Sequence, residues 1–207
     1  MLLSWGAAVT VAYLLGSIPS GLLIGKVAFG IDVREYGSRR TGATNVLRTM
    51  GKGAAAAALA LDLIKAVLAV LFARWLLPGE PWAHVLAGLA AIAGHNWPVF
   101  FGFRGGRGVV VAVAILGVMH FPVLLVVVGT GIVIIWRTRF VSLASVLGAA
   151  LTPPLLLFFF LRGQVPLAYL VYGIVGAAVI IAAHRDNISR LLHGTESRIG
   201  QSVSRAA

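Results

Sequence analysis

Cysteine is absent from the chain altogether. That excludes disulfide frameworks, thiolate nucleophiles and thiolate metal sites, and it removes any reading of redox compartment. Acidic side chains are scarce as well: six Asp and Glu stand against 17 Lys and Arg in 207 residues. Six scattered carboxylates do not build a metal cage, so no metal and no other cofactor is expected. Charge of either sign amounts to 11% of the residues, where a soluble domain carries roughly 25%. With 59% hydrophobic residues and a mean hydropathy of +0.97, the polar surface cannot coat a water-soluble globule. No soluble basic face exists either, so the net charge of +11 does not indicate nucleic acid.

Long apolar runs take the place of the missing charge. A hydrocarbon core of ~30 Å needs about 20 apolar residues per helix, and the runs read as Leu2 to Ile24, Ala54 to Leu77, Trp82 to Phe103, Val109 to Trp136, Val146 to Leu161 and Val165 to Ala183. The first lacks the basic start of a cleaved signal peptide and is too long for one. The fourth is either one long helix or two short ones turning at His120-Phe121-Pro122. Charge asymmetry chooses between them, because Lys and Arg collect on the cytoplasmic side. If the run crosses twice, thirteen basic residues (Arg34, Arg39, Arg40, Arg48, Lys52, Arg104, Arg107, Arg137, Arg139, Arg185, Arg190, Arg198, Arg205) share one side against Arg74 and Arg162. If it crosses once, the split is eight to seven, which is no bias. The expected fold is therefore all-α, a multi-pass membrane protein of seven helices. The fourth and fifth are short, the N-terminus lies outside and the C-terminus in the cytoplasm. Residues 1–192 form one membrane domain and residues 193–207 a mobile polar tail.

This topology brings four polar clusters to one face. They are Tyr36-Gly-Ser-Arg-Arg-Thr-Gly-Ala-Thr-Asn45 with Arg48; Phe103-Arg-Gly-Gly-Arg-Gly108 preceded by Gly94-His-Asn-Trp-Pro98; Arg137 to Ser145; and His184-Arg-Asp-Asn187-Ile-Ser-Arg190. Singly, each is an ordinary basic turn. Together they offer glycines that let backbone approach a ligand, small hydroxyl and amide donors, and arginine forks matched to phosphate. Arg104-Gly105-Gly106-Arg107-Gly108 leads into an apolar run, where helix N-terminal amides favour anions. A phosphate-bearing ligand is the natural partner. The chain has no Gly-x-Ser-x-Gly elbow, no HExxH helix, no His-x4-Asp pair and no Asp-rich transferase motif, so metal-free chemistry on an already activated phosphate compound fits best. An acyl phosphate is such a compound, and its attack by an alcohol needs orientation and charge stabilisation. His184 is the candidate base.

At these residues the sequence resembles the bacterial acyl-phosphate:glycerol-3-phosphate acyltransferase family. The resemblance runs from Tyr13-Leu-Leu-Gly-Ser17 through Gly42-Ala-Thr-Asn45, Gly51-Lys-Gly53, Asp62-Leu-Ile-Lys65, Gly94-His95, Trp97 to Phe103 and Ser142-Leu-Ala-Ser145 to His184-Arg-Asp-Asn-Ile188 and Arg190. It implies transfer of an acyl chain from acyl phosphate to the 1-hydroxyl of glycerol 3-phosphate, the first acylation of phospholipid synthesis. The resemblance also implies that acyl carrier protein and coenzyme A take no part, and that the active site is on the cytoplasmic face of the cell inner membrane. Carried over by position, Ser145 and His184 stand at the reaction centre. Ser38, Thr44, Asn45, Arg48, Arg104, Gly105, Gly106, Arg107, Gly108, Ser142 and Asn187 bind substrate, with Arg48 and Arg107 on phosphate.

Three departures stand out. Arg39-Arg40 replace Gly-Asn in the first motif, Arg104 and Arg107 replace lysines in the second, and Val111 replaces a threonine. These leave room for a paralogue acting on another polyol phosphate, or for a non-catalytic lipid-phosphate binder. An organic-anion transporter is the rival of a different class, but it calls for matching broken halves, and none is visible. Asp62 and Lys65, three apart in a helix, read as a self-neutralising pair. His95 reads as a structural hydrogen-bonder, Arg190 as a contact to anionic lipid, and the five tryptophans as interfacial anchors. Asp186 is the one carboxylate expected within reach of His184.

Overall fold

Proline and glycine decide where the apolar runs break. The computed structural model describes residues 1–201; Arg205 and the remainder of the expected tail, residues 202–207, lie outside the described residues. The first run is two helices, α1 (Leu2–Gly16) and α2 (Ser20–Phe29), where a single helix from Leu2 to Ile24 was expected. Pro19 has no N–H to continue the ladder and turns residue 18 away from helical geometry. The carbonyl of Ile18, freed by the break, accepts a hydrogen bond from the Lys65 ammonium. Apolar surroundings offer no water to do this, so the break and the buried lysine belong together.

Helix α3 (Ala43–Leu76) is kinked at Gly51, whose φ of 84° is outside helical space. The kink separates a first stretch carrying Thr44, Asn45 and Arg48 from the apolar remainder. Helix α4 (Pro81–Asn96) starts on a proline and ends well short of the expected Phe103. Helices α5 (Val109–Met119) and α6 (Phe121–Thr138) are separate, divided at His120, where the turn between two short helices was expected. His120 is extended there, and its Nδ1 accepts from the Val123 N–H at 3.3 Å. Helices α7 (Val141–Leu161), α8 (Leu167–Ala183) and α9 (Arg185–Leu192) complete the described residues, with a 62° bend between α8 and α9.

Among the described residues the regular elements are helices, with no strand. Four stretches are long and apolar enough to cross a membrane: Leu2–Phe29, Ala43–Leu76, Phe121–Thr138 and Val141–Leu161.

Small residues hold the helices close. A Cβ on Gly16 would fall 2.3 Å from the Ala91 carbonyl oxygen, and one on Gly94 would fall 2.2 Å from that of Tyr13. Helices α1 and α4 therefore touch backbone to backbone, the contact that small residues allow where lipid supplies no hydrophobic drive. Large apolar side chains such as Leu61, Ile64, Leu68, Val126 and Val133 face outward.

Candidate active site

A polar cavity of about 130 Å³ opens where the polar ends of α3, α5, α7 and α8 meet α9 and the loop before α3. Its walls include Ser38, Arg40, Gly42, Thr44, Asn45, Arg48, Arg107, Gly108, Ser142, Ser145, His184, Asn187 and Glu196. The four polar clusters do converge, by way of these members.

Asn45 shapes the first loop. Its Nδ2 faces the carbonyl oxygens of Val33, Tyr36 and Arg40 at 2.9, 3.0 and 2.9 Å, and its Oδ1 accepts from the Ser38 N–H at 3.1 Å. An amide so engaged fixes the loop and thereby presents Ser38 and Arg40 to the cavity. Gly42 and Thr44 stand at the start of α3, where free N–H groups favour an anion.

The glycine loop before α5 works differently from the expectation. The N–H of Gly105 donates to the Asn96 carbonyl at 3.2 Å and that of Gly106 to the His95 carbonyl at 2.9 Å. Cβ atoms there would stand 2.0 Å from the His95 carbonyl oxygen and 2.0 Å from His95 Nε2 respectively. Both glycines lie against the end of α4 and outside the cavity wall. They aim Arg107 and Gly108 into the cavity, while Arg104 is exposed and outside it.

On the opposite wall Glu196 is the hub. Its carboxylate accepts from Ser142 Oγ at 2.8 Å, Asn187 Nδ2 at 2.7 Å and Arg190 Nε at 2.7 Å. Burial works to raise its pKa, but these three donors outweigh burial and hold it below the usual carboxylate value. Arg190 is therefore an ion-pair partner here, not only a lipid-facing charge. Asp186, expected near His184, is mostly exposed and 3.6 Å from Arg185.

His184, one residue past α8, has its Nδ1 2.8 Å from the Ile180 carbonyl. A carbonyl only accepts, so Nδ1 carries the proton. Burial, helped by Arg107 and Arg40, lowers the pKa to about 4, so the ring is neutral near pH 7 with Nε2 left as acceptor. The Ser145 hydroxyl donates to the Val141 carbonyl at 2.9 Å, which leaves its lone pairs free.

Three atoms of this wall are buried with no partner among the described residues: Arg48 Nε, Arg107 Nε and Asn187 Oδ1. Burial lowers the Arg107 pKa to about 10, with Arg40 and Arg190 adding to the effect; the side chain stays cationic at neutral pH. Buried guanidinium N–H groups without acceptors are costly, and an anion in the cavity satisfies them.

A second cavity of about 410 Å³ adjoins the first and shares Val109, Val110, Val141 and Ser145 with it. Its other walls are apolar faces of α5, α6, α7 and α8, among them Leu116, Ile132, Ala149, Gly176 and Ile180. A cationic chamber joined at a serine to an apolar one suits a molecule with an anionic head and a hydrocarbon tail.

A model of the glycerol-3-phosphate acyltransferase family matches residues 6–194. The chain belongs to the glycerol-3-phosphate acyltransferase family. A Gloeobacter violaceus glycerol-3-phosphate acyltransferase is 49% identical over 199 residues, covering 95% of this chain and 93% of the relative. One from a Nostoc species is 44% identical over 214 residues, covering 96% and 93%. Among solved structures, the integral membrane glycerol 3-phosphate acyltransferase PlsY in its glycerol 3-phosphate form superposes with a TM-score of 0.87 at 40% identity, covering 95% of this chain and 96% of that one. Its lysophosphatidic acid form gives 0.84 at 39%.

Set beside the family's motifs, the departures fall in different places. Arg39 holds φ at 57°, the left-handed region that the glycine of the family pattern adopts freely, so the loop keeps its path despite the side chain. Val111 is fully buried and outside the cavity walls, so the hydroxyl missing there does not face a ligand in the cavity. Arg40 does line the cavity. Sequence reasoning passed over Arg40 and Glu196 as site residues, and it gave Asp62 and His95 structural roles although both also touch the cavity. The signal for Glu196 was rarity: one of six acids, it stands in a stretch otherwise basic and polar. The segment expected as a free tail contributes it, with the Ser197 carbonyl accepting from Arg48 at 3.1 Å.

Proposed function

We propose that this protein transfers a fatty acyl group from acyl phosphate to the 1-hydroxyl of glycerol 3-phosphate, giving lysophosphatidic acid and inorganic phosphate. The observation that carries the reading is the pair of joined cavities. One is lined by Arg48 and Arg107 with unpartnered buried N–H groups, the other is apolar, and they meet at Ser145. The relatives' names and the two PlsY forms, with glycerol 3-phosphate and with lysophosphatidic acid, agree with it. They do not favour the transporter or the non-catalytic binder.

In this reading the arginines hold the phosphates and the apolar cavity holds the chain. The acceptor hydroxyl oxygen forms a bond to the acyl carbonyl carbon, and the bond from that carbon to the phosphate oxygen breaks. The hydroxyl proton ends on the released phosphate, directly or by way of His184 Nε2. Ser142, held by Glu196, and Asn187 Oδ1 orient the acceptor, while Ser145 lies at the carbonyl. Ser38, Thr44 and Gly108 complete the anion cradle. Asn45, Gly105 and Gly106 act through loop shape, and Arg104 from the rim. The chemistry calls for no metal or other cofactor, acyl carrier protein or coenzyme A, because the mixed anhydride is already activated. The topology that goes with it has seven spans in domain 1–192, N-terminus outside and C-terminus inside, with the site on the cytoplasmic face of the inner membrane. The thirteen-to-two charge bias supports that arrangement.

The test is purified protein with palmitoyl phosphate and labelled glycerol 3-phosphate, scored for lysophosphatidate and released phosphate. His184→Ala is expected to reduce turnover far more than glycerol 3-phosphate affinity. No product with binding intact overturns the transfer reading, and an unchanged rate in the variant removes His184 from the chemistry.

A further inference from the structure

The polar cavity holds more positive charge than one anion needs. Arg40, Arg48 and Arg107 line it, while its two carboxylates are already engaged, Glu196 by Arg190 at 2.7 Å and Asp62 by Lys65 at 2.8 Å. Arg40 shares the cavity lining with Arg107 and His184, and its positive charge disfavours proton binding at both. No hydrogen bond or ion pair engages its side chain among the described residues. Its backbone is fixed: the Arg40 carbonyl accepts from Asn45 Nδ2 at 2.9 Å, and Arg39 beside it is locked in a left-handed turn at φ 57°. An anchored backbone thus presents an uncommitted guanidinium to a chamber that already contains two others. Three like charges gathered at low dielectric repel one another, and dianions bound among them remove that penalty.

We propose that Arg40 is a third phosphate-gripping cation of this site, one that raises its affinity for a phosphate dianion. The proposal rests on the acyl-transfer reading for the source of that dianion, which is either the acyl phosphate or glycerol 3-phosphate. Two dianions drawn into one small cavity repel each other, and two guanidinium groups leave that pair under-neutralised. A third fork supplies further charge-assisted hydrogen bonds.

The test compares wild type with Arg40→Asn and Arg40→Lys, each purified in detergent and checked for monodispersity and helicity. Calorimetry gives the dissociation constant of inorganic phosphate, and initial rates give KM for each substrate separately. Arg40→Asn is expected to weaken phosphate binding about tenfold and to raise by a similar factor the KM of whichever substrate it grips. The KM change should exceed the kcat change, and KM should depend less steeply on salt. Arg40→Lys keeps the charge but loses the fork, and should fall between. Dissociation constant and both KM values within about twofold of wild type in Arg40→Asn overturn the proposal. If wild type forms no lysophosphatidate yet binds phosphate in an Arg40-dependent way, the transfer reading fails and the Arg40 assignment stands.

Discussion

Leucine in place of Gly176 should shorten the acyl chain the protein accepts. Gly176 lies eight residues before His184 on α8, about 12 Å along the axis at 1.5 Å per residue, and it lines the apolar cavity. A Cβ built there meets nothing within 4 Å, so a larger side chain enters open space and not neighbouring atoms. Leucine is also the better helix former by roughly 0.5–1 kcal/mol, which leaves folding intact. A chain that ends short of residue 176 does not meet the new side chain; a longer one must bend around it.

The size of the effect depends on where the chain comes from. The usual 0.8 kcal/mol per buried methylene applies to transfer from water, but an acyl phosphate leaves lipid, and lipid is as apolar as the cavity. Steric crowding is what remains, about 1–3 kcal/mol for overfilling an apolar site. That predicts kcat/KM for hexadecanoyl phosphate falling roughly 5- to 150-fold relative to octanoyl phosphate. The assay is phosphate release by purified wild type and Gly176→Leu with both donors at saturating glycerol 3-phosphate. Parallel loss with both donors, or loss with neither, refutes the placing of the chain along α8.

Three further outcomes follow from the same geometry. Gly106→Ala drives a Cβ to within 2.0 Å of His95 Nε2, so the loop carrying Arg107 must shift; about 1–3 kcal/mol of stability should be lost, with a raised KM for glycerol 3-phosphate, and an unchanged KM would contradict the aiming role of the loop. Glu196 has a lowered folded-state pKa, so its stabilisation is complete above the unfolded value of about 4.3 and is lost as pH falls through the folded one. Thermal midpoints should drop on acidification below about pH 5 in wild type, and less so in Glu196→Gln, which starts lower at neutral pH; equal slopes would remove Glu196 from the stability argument. Lys65→Met strands the buried Asp62 carboxylate, 1% exposed, and the Ile18 carbonyl. It should cost about 3–5 kcal/mol, part of which Asp62→Leu in the same chain restores; a double variant no better than the single one would show that the ion pair is not the issue.

Much of this was legible in the linear chain. Low charge and long apolar runs announce a membrane protein, because no folding arrangement can hide that composition from water. The basic-residue bias divides the 109–136 run at His120, and the structure breaks there. The polar clusters mark the helix ends that meet at the cavity, and the motif residues His184, Asn187, Ser142, Arg48 and Arg107 all line it.

What the chain alone left open depends on helix rotation and on contacts between distant segments. Hydropathy sums along the sequence, so a run broken at Ser17–Pro19 looks like one helix, and only packing shows that Lys65 covers the carbonyl released there. Composition places Gly105 and Gly106 in a phosphate loop, but the approach of α4 turns them toward His95. Arg40 is one basic residue among thirteen until Asn45 fixes its loop and aims it inward. Glu196 stands 54 residues from the Ser142 hydroxyl it accepts. One-dimensional patterns register which residues are polar and roughly at which end of a helix they lie. Which of them share a cavity is decided by the kink at Gly51, the bend after His184 and the close contact of α1 with α4, all of them set by atoms far apart in sequence.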